Sequence, residues 1–269
     1  GTKLPATIII VFLSLIYSFP AKTQILINEF LAKGYTTLQD PDEPGDYPDW
    51  IELYNAGNVS VNINGYYLTD DNADIMKWQF KSDIIIPENS FLLVYADNQE
   101  EQGMLHCNFK LNSDTGYIAL TTISGEITDE INYGKQYSGI SYGRYPDGTN
   151  DFNLFKDPPP NQNNINGFTG KVEKFALNHE RGFYDQSISV SIETPNLSSN
   201  IYYTLDGSEP QFSEGGSTKL YSAPVSIFTT TCLRFRATAT GHIESDIITH
   251  TYLFLNDVIG QPQNPGGFP

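Results

Sequence analysis

The chain has 269 residues, with 15 Lys+Arg against 32 Asp+Glu and a formal net charge of -17. No basic run interrupts that acidity, so a nucleic-acid binder, which needs a cationic face for phosphate, is excluded as a reading. At 17% charged, with 17 Tyr and 16 Phe, the composition is that of a folded protein, and 22 Gly and 16 Pro point to short strands and many turns.

At the start, Lys3 precedes the apolar stretch from Ala6 to Phe19, and Ala21-Lys22-Thr23 places small residues just before Gln24. Residues 1–23 read as a secretory signal peptide. The apolar stretch is shorter than the roughly 20 residues a membrane helix needs, and nothing later in the chain rivals it. The mature chain is therefore expected to lack a membrane span and to be secreted or held at the cell surface. Its two cysteines, Cys107 and Cys232, read as packing residues, too few for a disulfide framework.

From Gln24 a period-2 alternation recurs, at Ile25 to Ala32, Asp49 to Asn55, Val59 to Ile63, Lys77 to Phe80, Phe91 to Ala96, Leu105 to Leu111, Thr115 to Thr122 and Glu126 to Gly134. These are strands between Gly, Asn, Asp and Pro clusters, and no 3.6-period segment of helical length competes with them. A second series follows the Pro158-Pro159-Pro160 stretch: Ser187 to Thr194, Asn200 to Leu205, Pro224 to Ile227, Thr231 to Ala239 and Asp246 to Phe254. The expectation is an all-β chain of two β-sandwiches in tandem, at 24–158 and 172–255, joined by a linker at 159–171. A Pro/Gly stretch at 256–269 reads as a further linker to a downstream region. Acidity is concentrated in the first sandwich, where residues 24–170 carry 22 acids against 7 bases.

Alternation assigns faces within strands. In TCLRFRATA, Leu233, Phe235 and Ala237 share a core face, while Arg234 and Arg236 lie on a solvated or charge-paired one. In DWIELYN, Trp50, Glu52 and Tyr54 oppose Ile51, Leu53 and Asn55, and alternation alone leaves open which face is buried.

INEF at Ile27 to Phe30, an acidic insert, DWIELYN, GYYLTDD at Gly65 to Asp71 and SYGRYPDG at Ser141 to Gly148 together resemble the lamin-tail domain, which implies an immunoglobulin-like sandwich. GFYDQSISVSI at Gly182 to Ile192, YYTLDGSEP at Tyr202 to Pro210, LYSAPVSI at Leu220 to Ile227 and the closing THTYLF resemble the chitobiase/hexosaminidase C-terminal-type domain, which implies a fibronectin-like sandwich. The pair is similar to the N-terminal part of secreted bacterial surface proteins in which a spore-coat-H-type kinase domain follows. The resemblance implies interaction and accessory roles and brings no catalytic residues. Within it, Asp147-Gly148 and Asp206-Gly207 read as tight turns, and Arg144, between two tyrosines, as a local stacking or pairing group.

Catalytic patterns are sparse. Gly139-Ile140-Ser141-Tyr142-Gly143 satisfies G-x-S-x-G, yet an elbow needs a helix after the serine, and Arg144 to Gly148 enters a turn. Phosphate-loop, dinucleotide and H-E-x-x-H patterns are missing from the sequence. The acidic insert is the strongest constellation: Asp40, Asp42, Glu43, Asp46 and Asp49 place five carboxylates in a turn-rich loop, the hard oxygen donors that Ca²⁺ prefers. It is not an EF-hand, since Pro44 and Ile51 stand at the fifth and twelfth positions counted from Asp40. Calcium is the one cofactor the sequence suggests. The functional expectation is a non-catalytic exported tandem for cell-surface interaction, adhesion or presentation of a neighbouring domain, with a cell-surface protein or polysaccharide as partner. The alternative is the ancillary front of an enzyme, a spore-coat-H-like kinase or glycan-active hydrolase, whose catalytic part lies beyond Pro269. Direct glycan binding would use Tyr66, Tyr67, Tyr202 or Tyr203 as stacking faces, with at least one of each adjacent pair turned into the core.

Overall fold

A computed structural model describes residues 25–194 and 199–260; the export signal read at 1–23 and the Pro/Gly stretch past residue 260 lie outside them. The first sandwich has eleven strands: β1 Ile25–Leu31, β2 Asp49–Asn55, β3 Val61–Asn62, β4 Tyr67–Thr69, β5 Trp78–Gln79, β6 Ile85–Ile86, β7 Phe91–Ala96, β8 Gly116–Thr121, β9 Ile127–Tyr133, β10 Ser141–Arg144 and β11 Phe152–Phe155. One antiparallel sheet runs β11-β10-β1-β2-β7 and the facing one β5-β4-β8-β9. Between them lie Ile27, Phe30, Ile51, Leu53, Leu68, Phe80, Val94, Ile118 and Leu120, all fully buried. Two layers closing on one apolar core is how strands with a single apolar face become stable.

The face of β2 that alternation left open is settled by a second, smaller core. Ile51 and Leu53 enter the main core, whereas Trp50 packs on the outer side of the sheet with Leu31 and Leu93, beneath Leu38 and Tyr95. Leu38 belongs to the loop between β1 and β2, so the acidic insert lies over the outer face of the sheet and buries its polar groups.

Past the first sandwich come β12 Gly170–Lys171, β13 Ala176–Leu177, β14 Gly182–Tyr184, β15 Ile188–Val190, β16 Ile192–Glu193, β17 Asn200–Thr204, β18 Lys219–Leu220, β19 Val225–Ile227, β20 Thr231–Thr238, β21 His242–Ile243 and β22 Ile248–Phe254. Their main sheet has the order β14-β22-β20-β17-β18. Leu233, Phe235 and Ala237 are fully buried against Val190, Val225 and Ile227 of the opposing layer, which is the face expected from alternation. No described helix is long and apolar enough to cross a membrane.

Two predicted strands take a different form. Leu105 to Leu111 is held by two single bridges, Tyr95 to His106 and Asp97 to Lys110, and builds no ladder. Ser187 to Thr194 divides into β15 and β16, which pair with β19 and β13 respectively. The break has a cause: the Asn178 side chain takes the Ser191 N–H at 2.7 Å and donates to the Ser189 carbonyl at 2.9 Å, removing the joint from the ladder.

The segment read as a linker is docked. Asn161 N–H donates to Glu52 Oε2 at 2.5 Å, the buried Asn164 donates through its side chain to the Arg144 carbonyl, and Phe168 exchanges both backbone hydrogen bonds with Leu154 of β11. β12 then pairs in parallel with β21, so one continuous path of backbone bonding joins the two sandwiches.

Candidate functional site

The five carboxylates of the insert are distributed among separate tasks. Asp49, at the start of β2, accepts the Gly34 N–H at 3.2 Å and the Leu111 N–H at 3.1 Å, fixing the base of the loop; burial raises its carboxyl to about 6. Glu43 is exposed and accepts from Gln99 and Gln102. Asp46 contributes its backbone, with its N–H on the Glu43 carbonyl and its carbonyl under the Asp40 N–H. Asp40 turns inward. Its Oδ1 accepts the N–H groups of Asp42 and Glu43, while its Oδ2 is buried without a hydrogen-bond partner.

Asp40 meets two residues that sequence reasoning did not single out. Asp97 directly follows β7, and His106 lies in the bridged segment after a single 3₁₀ turn at Glu100–Gln102. Hydrogen bonds between Tyr95 N–H and the Leu105 carbonyl, and between Cys107 N–H and the Tyr95 carbonyl, clamp His106 beside Tyr95. The imidazole stacks on the Tyr95 ring with centroids 4.8 Å apart and planes 17° from parallel. His106 Nδ1 lies 2.6 Å from Asp97 Oδ2, and Nε2 lies 3.4 Å from Asp42 Oδ2. Asp40, Asp97 and His106 are each at most 3% exposed, and one donor atom from each lies within 4.8 Å of the others. Among the described residues no other three His, Cys, Asp or Glu side chains converge in this way.

A second polar cluster lies on the same outer face, where β1 carries a bulge between Ile27 and Glu29 and Glu29 pairs with Glu52. Both glutamates are fully buried. Burial, opposed in part by the Ser141 hydroxyl, raises Glu29 to about 8, and burial raises Glu52 to about 7 against bonds from Asn161 and Asn28. Asn28 organises the group, donating to Glu52 and to Asp147 and accepting the Gly148 N–H at 3.1 Å. Gly148 sits at φ +69, where the Asp147-Gly148 turn requires glycine.

Other residues marked by the sequence have structural partners. Ser141 is fully buried at the start of β10 and donates to Glu29, so the G-x-S-x-G pattern presents no accessible nucleophile. Arg144 is buried, donates to the Ile27 carbonyl at 2.9 Å, binds both Asp129 oxygens at 2.9 and 2.8 Å and lies over Phe152. Arg234 donates to the Gly207 carbonyl, and Arg236 stacks on Phe212 at 3.6 Å. Tyr66 and Tyr203 pack against the two cores, leaving Tyr67 half-buried on Gln79 and Tyr202 edge-on to Phe212. Cys107 is buried and Cys232 half-buried, and both are free thiols.

The seam between the sandwiches is the remaining constellation. Ile140, Leu154 and Ile243 form a shared apolar cluster with Tyr137, Tyr142 and Phe168 around it. Ion pairs join Lys135 to Glu173 at 2.8 Å and Lys156 to Glu244, and the ammonium groups of Lys135 and Lys171 both lie 5.1 Å from the centre of the Tyr137 ring. The cleft beside them, about 620 Å³, is lined by these charges in opposed signs.

Residues 18–135 match the family model described as Lamin Tail Domain, and residues 179–249 match that described as Chitobiase/beta-hexosaminidase C-terminal domain. The two occur in the order that the sequence resemblance implied, and both are compatible with a non-catalytic β-sandwich module. In the structure the first sandwich extends past its match, because β10 and β11 complete the sheet that holds β1. No curated protein and no solved structure matched the chain.

Proposed function

We propose that this tandem of a Lamin Tail Domain and a Chitobiase/beta-hexosaminidase C-terminal domain is a non-catalytic unit of an exported protein, serving cell-surface interaction and the presentation of a neighbouring domain. The export reading rests on Lys3 and the apolar run from Ala6 to Phe19. The presentation reading rests on one observation: the two sandwiches are joined by strand pairing, a shared apolar cluster and ion pairs where a tether would need none of these. Inter-domain contacts of that kind turn two domains into one lever, whereas a flexible linker leaves their relative motion free. The glycan reading is narrowed to Tyr67 and Tyr202, since Tyr66 and Tyr203 are the members of each pair engaged in the cores.

Spin labels at Ile123→Cys in the first sandwich and Phe228→Cys in the second, in a Cys232→Ser background, test the lever. Both positions are about two-thirds exposed and Cys107 is buried. A single narrow inter-label distance distribution is expected. A broad distribution, as two independently tumbling domains give, would contradict the reading.

A further inference from the structure

We propose that the second sandwich is a mechanical link, which carries tension along the chain between the first sandwich and the residues past Phe254. Strand direction is what points to it. Among the described residues only two ladders are parallel, β12 with β21 and β14 with β22, and both join the segment that enters the second sandwich to the segment that leaves it. The other ladders are antiparallel in both sandwiches.

The entry and exit segments run side by side in the same direction. The Thr169 N–H donates to the Gly241 carbonyl at 2.8 Å, Gly170 and Lys171 pair with His242 and Ile243, and the Val172 N–H donates to the Ile243 carbonyl at 2.9 Å. β13 then turns aside to pair with β16, and contact resumes where Gly182, Phe183 and Tyr184 pair with Tyr252, Leu253 and Phe254. Side chains fasten the same two segments. Lys171 pairs with Asp246 at 2.7 Å, the fully buried Tyr252 donates its hydroxyl to the His179 carbonyl at 3.1 Å, and the Tyr184 ring lies 5.7 Å from that of Tyr252. Thr169 therefore stands at one end of the paired run, and Leu255 follows directly on the other.

Direction decides how such an array breaks. Tension draws Thr169 backward along one segment and Leu255 forward along the other. Because the segments are parallel, the two pulls slide one past the other, and both ladders with their side-chain ties are loaded together. An antiparallel pair drawn apart at its open end separates rung by rung, so each hydrogen bond meets the load alone. The exit strand is also guarded against peeling from its end. β22 lies between β14 and β20, and the Phe254 N–H is held by Thr230 Oγ1 at 3.0 Å. The first sandwich has no equivalent, since β10 separates its first strand, β1, from its last, β11. Only the source of the load, a presented domain drawing on the chain past Phe254, depends on the presentation reading.

Force spectroscopy on the full chain in a Cys232→Ser background tests the link, with handles attached at two alternative pairs of exposed positions. Thr169→Cys with Leu255→Cys applies shear. Phe228→Cys with Leu255→Cys applies peeling, because Thr231 pairs with Tyr252 and both positions lie beyond the same end of β20 and β22. Thr169, Phe228 and Leu255 are all exposed, and Cys107 is buried. The two versions share one folded state, checked by matching urea midpoints, so the ratio of their unfolding forces reads direction alone. At a common loading rate the second sandwich is expected to unfold at a force at least about twofold higher in shear than in peeling, since forced unfolding follows the barrier along the pulled direction. A smaller ratio, equal forces included, would overturn the proposal. A broad inter-label distance between the sandwiches would end the lever and leave this ratio unmoved, because each pair of handles spans the second sandwich only.

Discussion

Two groups of buried carboxylates lie on the outer face of one sheet, and they deal with negative charge in opposite ways. Glu29 and Glu52 face each other across β1 and β2, surrounded by Asn28, Ser141 and the backbone of Asn161, and burial raises both so that they hold protons near neutrality. Asp40 and Asp97 are as deeply buried, yet their neighbour is an imidazole, with His106 Nδ1 2.6 Å from Asp97 Oδ2; a buried oxygen without a partner is common to both groups, at Asp40 Oδ2 and at Glu29 Oε2. Asp129 marks a third solution, a bidentate Arg144. The comparison teaches that burial of an acid is not by itself a site. What distinguishes the Asp40 cluster is the imidazole beside its carboxylates, where the other two groups meet burial with protons or a guanidinium.

Substitutions that break one solution at a time sharpen that contrast. Arg144→Ala should have the largest effect, costing about 3–5 kcal/mol in urea denaturation, since it strands a buried carboxylate and the Ile27 carbonyl. A loss below about 1 kcal/mol would mean that Asp129 finds water or a proton as easily as Glu29 does. Asn28→Ala comes next, at about 1–3 kcal/mol, because Glu52, Asp147 and the Gly148 N–H all lose a partner at once.

The protonated pair makes a prediction in pH. A carboxyl whose folded value lies above its unfolded one contributes stability that is complete below the unfolded value and is lost as pH rises through the folded one. With Glu29 at about 8, Glu52 at about 7 and Asp49 at about 6, stability should fall from pH 4.5 towards pH 8. Glu29→Gln, which keeps the neutral form, should raise Tm by about 4 °C at pH 8 and change it by less than about 1 °C at pH 5. Equal shifts at both values would show that Glu29 does not carry the proton. The smallest effect belongs to the seam: Lys156→Ala removes a partly exposed ion pair and should cost about 0–1 kcal/mol in thermal denaturation, because strand pairing and Ile243 hold the sandwiches together.

Much of the fold was legible in the sequence because strands with one buried face alternate. Leu233, Phe235 and Ala237 were placed on the core face by that rule, and they lie there. DWIELYN resisted it because both of its faces are buried, one by the opposing sheet and one by the acidic insert, and a strand covered on both sides has no polar face to read. The five acids of the insert drew attention by density, yet only Asp40 and Asp42 reach the cluster. Asp97 and His106 were hidden for a physical reason. They stand far along the chain from Asp40, and Leu105 to Leu111 alternates like a strand while being held by two single bridges that turn the histidine onto Tyr95. The signal that was available is a lone histidine inside an apolar alternation, close after an aspartate that ends a strand.

The contrast between a carboxylate that holds a proton and one that holds a guanidinium is tested most directly by ¹³C NMR titration of the side-chain carboxyls of the full chain. Glu29 is expected to titrate near pH 8 and Glu52 near pH 7. Titration of both in the ordinary carboxylate range, near 4.5, would contradict it.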